Sequence, residues 1–303
     1  MMRSPLCFPV FYKNRKIFVL DETKLPFDET YIEVKNLDEA KDVLKTMKTR
    51  AFGQVLLFLY SCILTEDIDE VAKSFKDIRP TFDFFGLASN LKEVLKFKNS
   101  IKDAVDFIIS SFEEKRRKRA KNLAKILPNF AKILTICNVN GELIYLYEEM
   151  KNIEKKAEFY ISETRPYLQG TRLTLWELKR NNIPTKLICD NQAAYLMKEG
   201  KINCVIVGSD RSTKDKHIIN KVGTYALAVL AKYFKIPFYV LTQMPKDIDI
   251  NKIEIEERDE KEVFMWLRKR VYYPKAVYPS FDITLSKYIS FLADISGEII
   301  KCE

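Results

Sequence analysis

The chain has 303 residues, 47% of them apolar, and a formal net charge of +9. That is enough apolar material for one large or two modest domains, and with no apolar run long enough to cross a bilayer as a helix, which excludes a helical membrane span, a soluble protein is expected. Much of the positive charge comes from lysines alternating with glutamates, the pattern of a solvated surface, so charge alone does not call for a nucleic-acid partner.

The opening MMRSPLCFPVFYKNRK has a Pro-interrupted apolar stretch too short for a signal peptide. The six cysteines are scattered, with neither a CxxC pair nor a dense disulfide framework, so a cytoplasmic protein is expected. Cys62, Cys189 and Cys204 are read as small buried hydrophobes. Residues Arg15 to Val34 read as a β-hairpin or small sheet broken by the Lys24-Leu25-Pro26 turn, and from Leu37 to Leu127 the pattern is mainly helical. Its last helix runs from about Ile101 to Leu127, where Pro128 stops it. The densest basic run, Glu114 to Lys121, lies on that helix without interleaved aromatics and reads as a solvated face. These signals predict a smaller, mostly helical N-terminal domain over 1–127.

From Ala131 onward short β-branched runs alternate with helix-period runs, the signature of βαβ units. Residues 128–303 are therefore expected to form a Rossmann-like, doubly wound parallel sheet. One helix is expected to begin near Asn220 as its cap, with Val222, Tyr225, Ala226, Val229, Leu230 and Tyr233 on one face. The segment PSFDITLSKYISFL reads as a turn followed by a last helix.

The predicted strands are followed by Cys137-Asn138, Glu163-Thr164-Arg165, Asp190-Asn191, Asp210-Arg211 and Thr242-Gln243. Helix caps also favour Asp and Asn, so a single such residue decides nothing. Their clustering at the carboxyl ends points to a site along that edge, with Cys137 and Asp210 as the candidate catalytic pair. GxGxxG and GxxxxGK[ST] are both missing, so NAD or ATP held in the standard loops is not expected. His217 is the single histidine, and no metal site is expected either. Chemistry here would run on side-chain acids and bases, without a cofactor.

The run Glu163-Thr-Arg-Pro-Tyr-Leu-Gln-Gly-Thr-Arg-Leu-Thr, with Ile206-Val-Gly-Ser-Asp-Arg and Asn220-Lys-Val-Gly-Thr-Tyr, resembles the methylthioribose-1-phosphate isomerase branch of the translation initiation factor 2B alpha/beta/delta superfamily. That superfamily also holds ribose-1,5-bisphosphate isomerases. Leu20-Asp-Glu-Thr-Lys-Leu-Pro, Thr49-Arg50 and Arg79-Pro-Thr extend the resemblance over nearly the whole chain. It implies an aldose-ketose isomerase of a pentose 1-phosphate, with Cys137 and Asp210 catalytic and Arg50, Arg79, Gln169, Gly170, Asn220 and Lys221 on substrate or phosphate. Ribose 1,5-bisphosphate and a deoxy-pentose 1-phosphate are the next substrates, and a homodimer is implied. The rival is a non-catalytic initiation-factor-2B-like subunit that binds a sugar phosphate or nucleotide, or docks a translation-factor subunit.

Physical chemistry fits these roles. Guanidinium forks match phosphate oxygens, Lys221 at a helix start would add charge to free amides, and Gly170 would let the backbone approach a ligand. Asp210 at an apolar strand end is expected to be a general acid, and Cys137 to be activated by a helix N-terminus. Hydride transfer between C2 and C1 remains a second route. The sequence departs from the family at Ala51-Phe52-Gly53, which sets a bulky residue beside Arg50. It also departs at Asn138 to Glu142, whose carboxylate would repel an anion if turned inward, and at Asn191, where the family often has Ser.

Overall fold

A computed structural model describes residues 4–80, 82–243, 249–250, 253–266 and 275–302. The chain divides into two compact units between Lys115 and Arg116, inside its longest helix.

In the first unit, β1 (Val10–Lys13), β2 (Lys16–Leu20) and β3 (Tyr31–Val34) form an antiparallel sheet in that order, one strand more than a hairpin. Helices α1 (Leu37–Lys45), α2 (Phe52–Thr65), α3 (Ile68–Ile78) and α4 (Phe84–Leu95) follow, then the long α5 (Ile101–Ile126). Four starts carry side-chain caps: Asn36 accepts from the Glu39 amide, Asp67 from Glu70, Asp83 from Gly86 and Ser100 from Asp103. Helix α2 is apolar around most of its circumference, with Leu56, Leu57, Phe58 and Leu59 all buried, so it forms the centre of this unit. Phe58, Phe75 and Phe84 close the core around it as a cluster of contacting rings.

The second unit is α/β. Strands β4 (Phe130–Thr135), β5 (Lys156–Ser162), β6 (Thr185–Ile188) and β7 (Cys204–Gly208) alternate with α6 (Glu142–Asn152), α7 (Leu175–Arg180) and α8 (Ala193–Lys198). A small hairpin, β8 (Arg211–Ser212) and β9 (Ile218–Lys221), precedes α9 (Thr224–Tyr233) and β10 (Phe238–Thr242). After a short α10 (Lys261–Phe264) come β11 (Phe281–Thr284), β12 (Phe291–Asp294) and β13 (Ile299–Lys301). Seven strands make one sheet in the order β13-β12-β10-β7-β4-β5-β6, parallel throughout except for β13. Strands β11, β9 and β8 make a separate antiparallel sheet. The runs Cys204–Val207 and Phe238–Thr242 are buried at every position, as parallel strands covered on both faces must be. Among the described residues no helix is long and apolar enough to cross a membrane.

Two expected helical features are strands. Asn220 is not a cap but lies within β9, because Ile218 and Ile219 bury themselves between β8 and β11, and α9 starts later on Gly223. The buried face of α9 is Thr224, Leu227, Ala228 and Ala231, while Tyr225 and Tyr233 are exposed. Leu227, Ala228 and Ala231 carry the contact with the core, and of the expected face Leu230 packs beside them. The expected final helix is replaced by β11, β12 and the short 3-10 turn Ser286–Tyr288 between them.

Candidate functional site

Chain order reverses between β4 and β7: β5 and β6 extend the sheet to one side of β4, whereas β7 and β10 extend it to the other. Ligands in open α/β sheets bind at the carboxyl ends beside such a reversal. Cys137 lies two residues beyond β4, and Asp210 two residues beyond β7, its paired neighbour. The loop after β4 reaches the end of β7, since a Cβ on Gly208 would stand 2.8 Å from the Val139 side chain.

Cys137 is half-buried and left-handed, at φ 64°. Its N–H donates to Thr164 Oγ1 at 2.9 Å, and its carbonyl accepts from Thr174 Oγ1 at 2.5 Å. Asn138 turns toward α7 and donates to Thr174 Oγ1 at 3.0 Å and to the buried Glu177 at 2.8 Å. Asp210 is exposed rather than held in apolar surroundings, and its amide donates to the Ile219 carbonyl at 3.0 Å. The hairpin that follows β7 carries it outward.

The loop after β5 is held from β6. Asp190 accepts from the amides of Thr164 at 2.8 Å and Arg165 at 2.7 Å, and also from the Ser162 hydroxyl. Asp190 therefore acts as the loop's clamp, while burial and then the Asp190 charge raise the Glu163 carboxyl above its ordinary value. Beyond the loop, Gly170–Thr174 form a π-helical turn, a form that recurs at functional sites. Gln169 is buried there, with an Oε1 that no hydrogen-bond donor among the described residues reaches. Gly170 is required by packing, because a Cβ there would stand 1.8 Å from the Ser162 carbonyl oxygen.

Asn220 and Lys221 are buried on β9. Asn220 donates to Thr224 Oγ1 at 2.9 Å, and Lys221 to the Tyr278 hydroxyl at 2.8 Å. The amides at the start of α9 do not await an anion. Asp282 of β11 accepts from Gly223 N at 2.6 Å and from Tyr225 N at 3.1 Å. Burial pushes that carboxyl from 3.8 up to about 6, against the pull of those amides and of Lys221.

Within the first unit, Arg79 reaches the turn between α1 and α2 that carries Arg50. The Arg79 guanidinium donates to the Met47 sulfur, and Gln54 holds the Thr49 carbonyl at 3.1 Å. Glu22, fully buried, accepts from the Thr49 hydroxyl at 2.7 Å and the Arg50 amide at 3.1 Å. Burial pushes its carboxyl from 4.5 up to about 7, partly offset by Thr49 and Arg50. The Phe52 ring packs edge-on against Phe8 and Phe112.

The basic run on α5 is not wholly solvated. Arg116 and Arg119 are 3% and 1% exposed. Arg119 donates to Glu142 Oε2 at 3.1 Å and to the Thr242 and Ala293 carbonyls at 2.6 and 3.4 Å. Arg116 donates to Glu142 Oε1 at 3.2 Å and to the Asn140 carbonyl. The Glu142 carboxylate is thus turned into this network, so the anticipated repulsion of an anion is answered by two guanidinium groups. The signal was periodic: Arg116 and Arg119 share helical spacing with the buried Ala120, Leu123, Ala124 and Leu127. Cys189 is another correction, being exposed, whereas Cys62 and Cys204 are buried. Among the described residues no group of three or more His, Cys, Asp or Glu is arranged to hold a metal ion.

An open, doubly wound sheet with a thiol and an acid just beyond the strands flanking its reversal defines a Rossmann-like ligand-binding or catalytic domain. Residues 58–295 match the model of the Initiation factor 2 subunit family, and the chain belongs to that family. It is 33% identical to a methylthioribose-1-phosphate isomerase of Caldicellulosiruptor saccharolyticus, over 95% of this chain and 94% of that protein. It is 34% identical to a 5-deoxyribose 1-phosphate isomerase of Petrotoga mobilis, over 95% and 94%. Among solved structures, 5-methylthioribose 1-phosphate isomerase from Pyrococcus horikoshii matches with a TM-score of 0.78 and 25% identity, over 99% of this chain and 95% of that one. Translation initiation factor eIF-2B, subunit delta, from A. fulgidus matches at 0.77 and 27%, over 97% and 96%.

Proposed function

We propose that this protein is an aldose-ketose isomerase of pentose 1-phosphates, converting 5-methylthioribose 1-phosphate to 5-methylthioribulose 1-phosphate. The observation that carries the reading is the thiol and carboxylate of Cys137 and Asp210, just beyond adjacent strands at the sheet's reversal. The relative named for 5-deoxyribose 1-phosphate makes a deoxy-pentose 1-phosphate the second substrate, with ribose 1,5-bisphosphate third. The unit from Arg116 onward, which reaches twelve residues further back than the expected boundary at 128, is assigned as the catalytic domain and the unit before it as the smaller domain, in a cytoplasmic homodimer.

A phosphorylated anomeric oxygen blocks spontaneous ring opening, so the protein must open the ring. In this reading Asp210 gives its proton to the ring oxygen as the C1–O bond breaks. The Cys137 thiolate then takes the C2 proton, and an enol forms across C1 and C2. Asp210, now ionised, takes the proton of the C2 hydroxyl while Cys137 returns its proton to C1, which leaves a ketone at C2 and both groups restored. Helix α6, whose acidic first-turn residue is paired with Arg116 and Arg119, favours a thiolate near its start. Arg50 and Arg79 are assigned to phosphate oxygens, and Asn220 and Lys221 to phosphate or sugar. The buried Oε1 of Gln169 suits a sugar hydroxyl that donates to it.

The test offers purified protein the three sugar phosphates and follows ketose formation. At least one should turn over, and Cys137→Ser and Asp210→Asn should each lower kcat by about 10²-fold or more while retaining binding. Wild-type turnover in either variant would refute its role. The likeness to the eIF-2B delta subunit supports a rival, a non-catalytic binding subunit. No turnover of any of the three, together with tight binding to a translation-factor subunit, would establish that rival instead.

A further inference from the structure

Cys137 sits in a backbone conformation that residues with a Cβ rarely adopt, and such a residue persists only where its surroundings over-determine it. Two threonine hydroxyls supply that constraint, one on each side of its backbone. Thr164 takes the Cys137 N–H at 2.9 Å, while its own hydroxyl donates to the Ser162 carbonyl at 3.0 Å. Thr174 works from the opposite direction. Its hydroxyl donates to the Cys137 carbonyl at 2.5 Å and accepts from Asn138 Nδ2 at 3.0 Å, so one side chain holds two successive residues of the loop.

The π-helical turn explains why a threonine from another element is available there. Gly170–Thr174 form the wide turn that leads into α7, and Thr174 is its last residue. The turn lies tight against the end of β5, where Gly170 leaves no room for a Cβ. Thr174 is fully buried, so water does not compete for its hydroxyl. Regular α-helical winding over these five residues would change the direction of Thr174 relative to the loop after β4.

We propose that Thr174 is a positioning residue for the Cys137 thiol: through the Cys137 carbonyl and Asn138 it keeps the loop in the left-handed conformation that sets where the sulfur stands. Thr174 acts through Cys137 and does not touch the substrate. The consequence for turnover rests on the isomerase reading, whereas the consequence for the thiol does not.

The experiment compares Thr174→Val, which keeps the shape and deletes the hydroxyl, with Thr174→Ser, which restores it. Thermal midpoints of both are measured first to establish that they fold. Alkylation of Cys137 by iodoacetamide is followed by peptide mass spectrometry, which separates it from the exposed Cys189 and the half-buried Cys302. In Thr174→Val, the loop relaxes and Cys137 should be alkylated about threefold faster or more, with kcat on the sugar phosphate lowered about tenfold or more and KM within about twofold. Thr174→Ser should return both readings to near wild type. Wild-type alkylation and kcat in Thr174→Val would overturn the proposal. So would a serine variant that behaves like the valine one, or a fall in kcat with unchanged alkylation, which would make Thr174 a substrate contact. If the wild-type protein turns over none of the sugar phosphates, the isomerase reading falls while the alkylation rates still decide the role of Thr174.

Discussion

Two helices start beside the sheet's reversal, and each meets a carboxylate in its first turn. Helix α6 begins after Gly141 at φ 82°, and α9 after Gly223 at φ 105°, in both cases without a side-chain cap from the residue itself. For α6 the carboxylate is Glu142, held by two buried guanidinium groups that also bind the Asn140, Thr242 and Ala293 carbonyls. For α9 it is Asp282, borrowed from β11 and held chiefly by main-chain amides. The difference is between full countercharge and partial dipoles. The first arrangement fixes strand ends and a loop in one network, whereas the second leaves a carboxyl whose pKa has risen to about 6. It also means that the positive end of α9 already has its anion.

Removing the countercharge breaks the comparison most severely. Arg119→Met keeps the bulk but strips Glu142 of one partner and removes a donor from the Thr242 and Ala293 carbonyls, and it should cost about 3–5 kcal/mol in urea unfolding. Adding Glu142→Leu should recover part of that loss, because no uncompensated buried charge is then left. A smaller effect comes from the backbone of α9. Gly223→Ala forces a side chain into the left-handed region, 2.9 Å from Ile136 Cδ1, and should cost about 1–3 kcal/mol by the same measurement.

The smallest effect is one of pH. Asp282 binds its proton more readily in the folded chain, so its contribution to stability is complete below its ordinary 3.8 and is lost as pH rises through about 6. Asp282→Asn does not titrate. Across that interval the stability of the variant relative to wild type should improve by about 1 kcal/mol, the full linkage being reduced by partial solvent screening. A flat difference across the interval would show that the amides hold the ionised carboxylate as comfortably as guanidinium groups would.

The alternation of strands and helices from β4 to β10 was legible because parallel strands buried on both faces are continuous Val/Ile/Leu runs, and Pro128 marked the end of α5. Placement of Cys137 and Asp210 beyond neighbouring strands followed from the same pattern. Strands β9, β11 and β12 were hidden, since segments of a few residues carry apolar spacings that suit a helix equally well. Arg116 and Arg119 were hidden differently. A charge run normally faces water, and only the arrival of Glu142 and three carbonyls at one point makes burying two guanidinium groups tolerable. Thr174 gave no signal in its residue type, because its role depends on the width of the turn that presents it.

Arg119 also sets an order of events. Its acceptors on β10 and β12 lie 123 and 174 residues further along, and Asn122 of the same helix donates to the Gly297 carbonyl, 175 residues on. As the chain leaves the ribosome, α5 meets Glu142 early, but its remaining acceptors do not yet exist. Closures over such spans come late in folding. The last strands therefore act as a fastener on a helix made long before them, and an interrupted chain would carry a guanidinium group with half its acceptors still to be made.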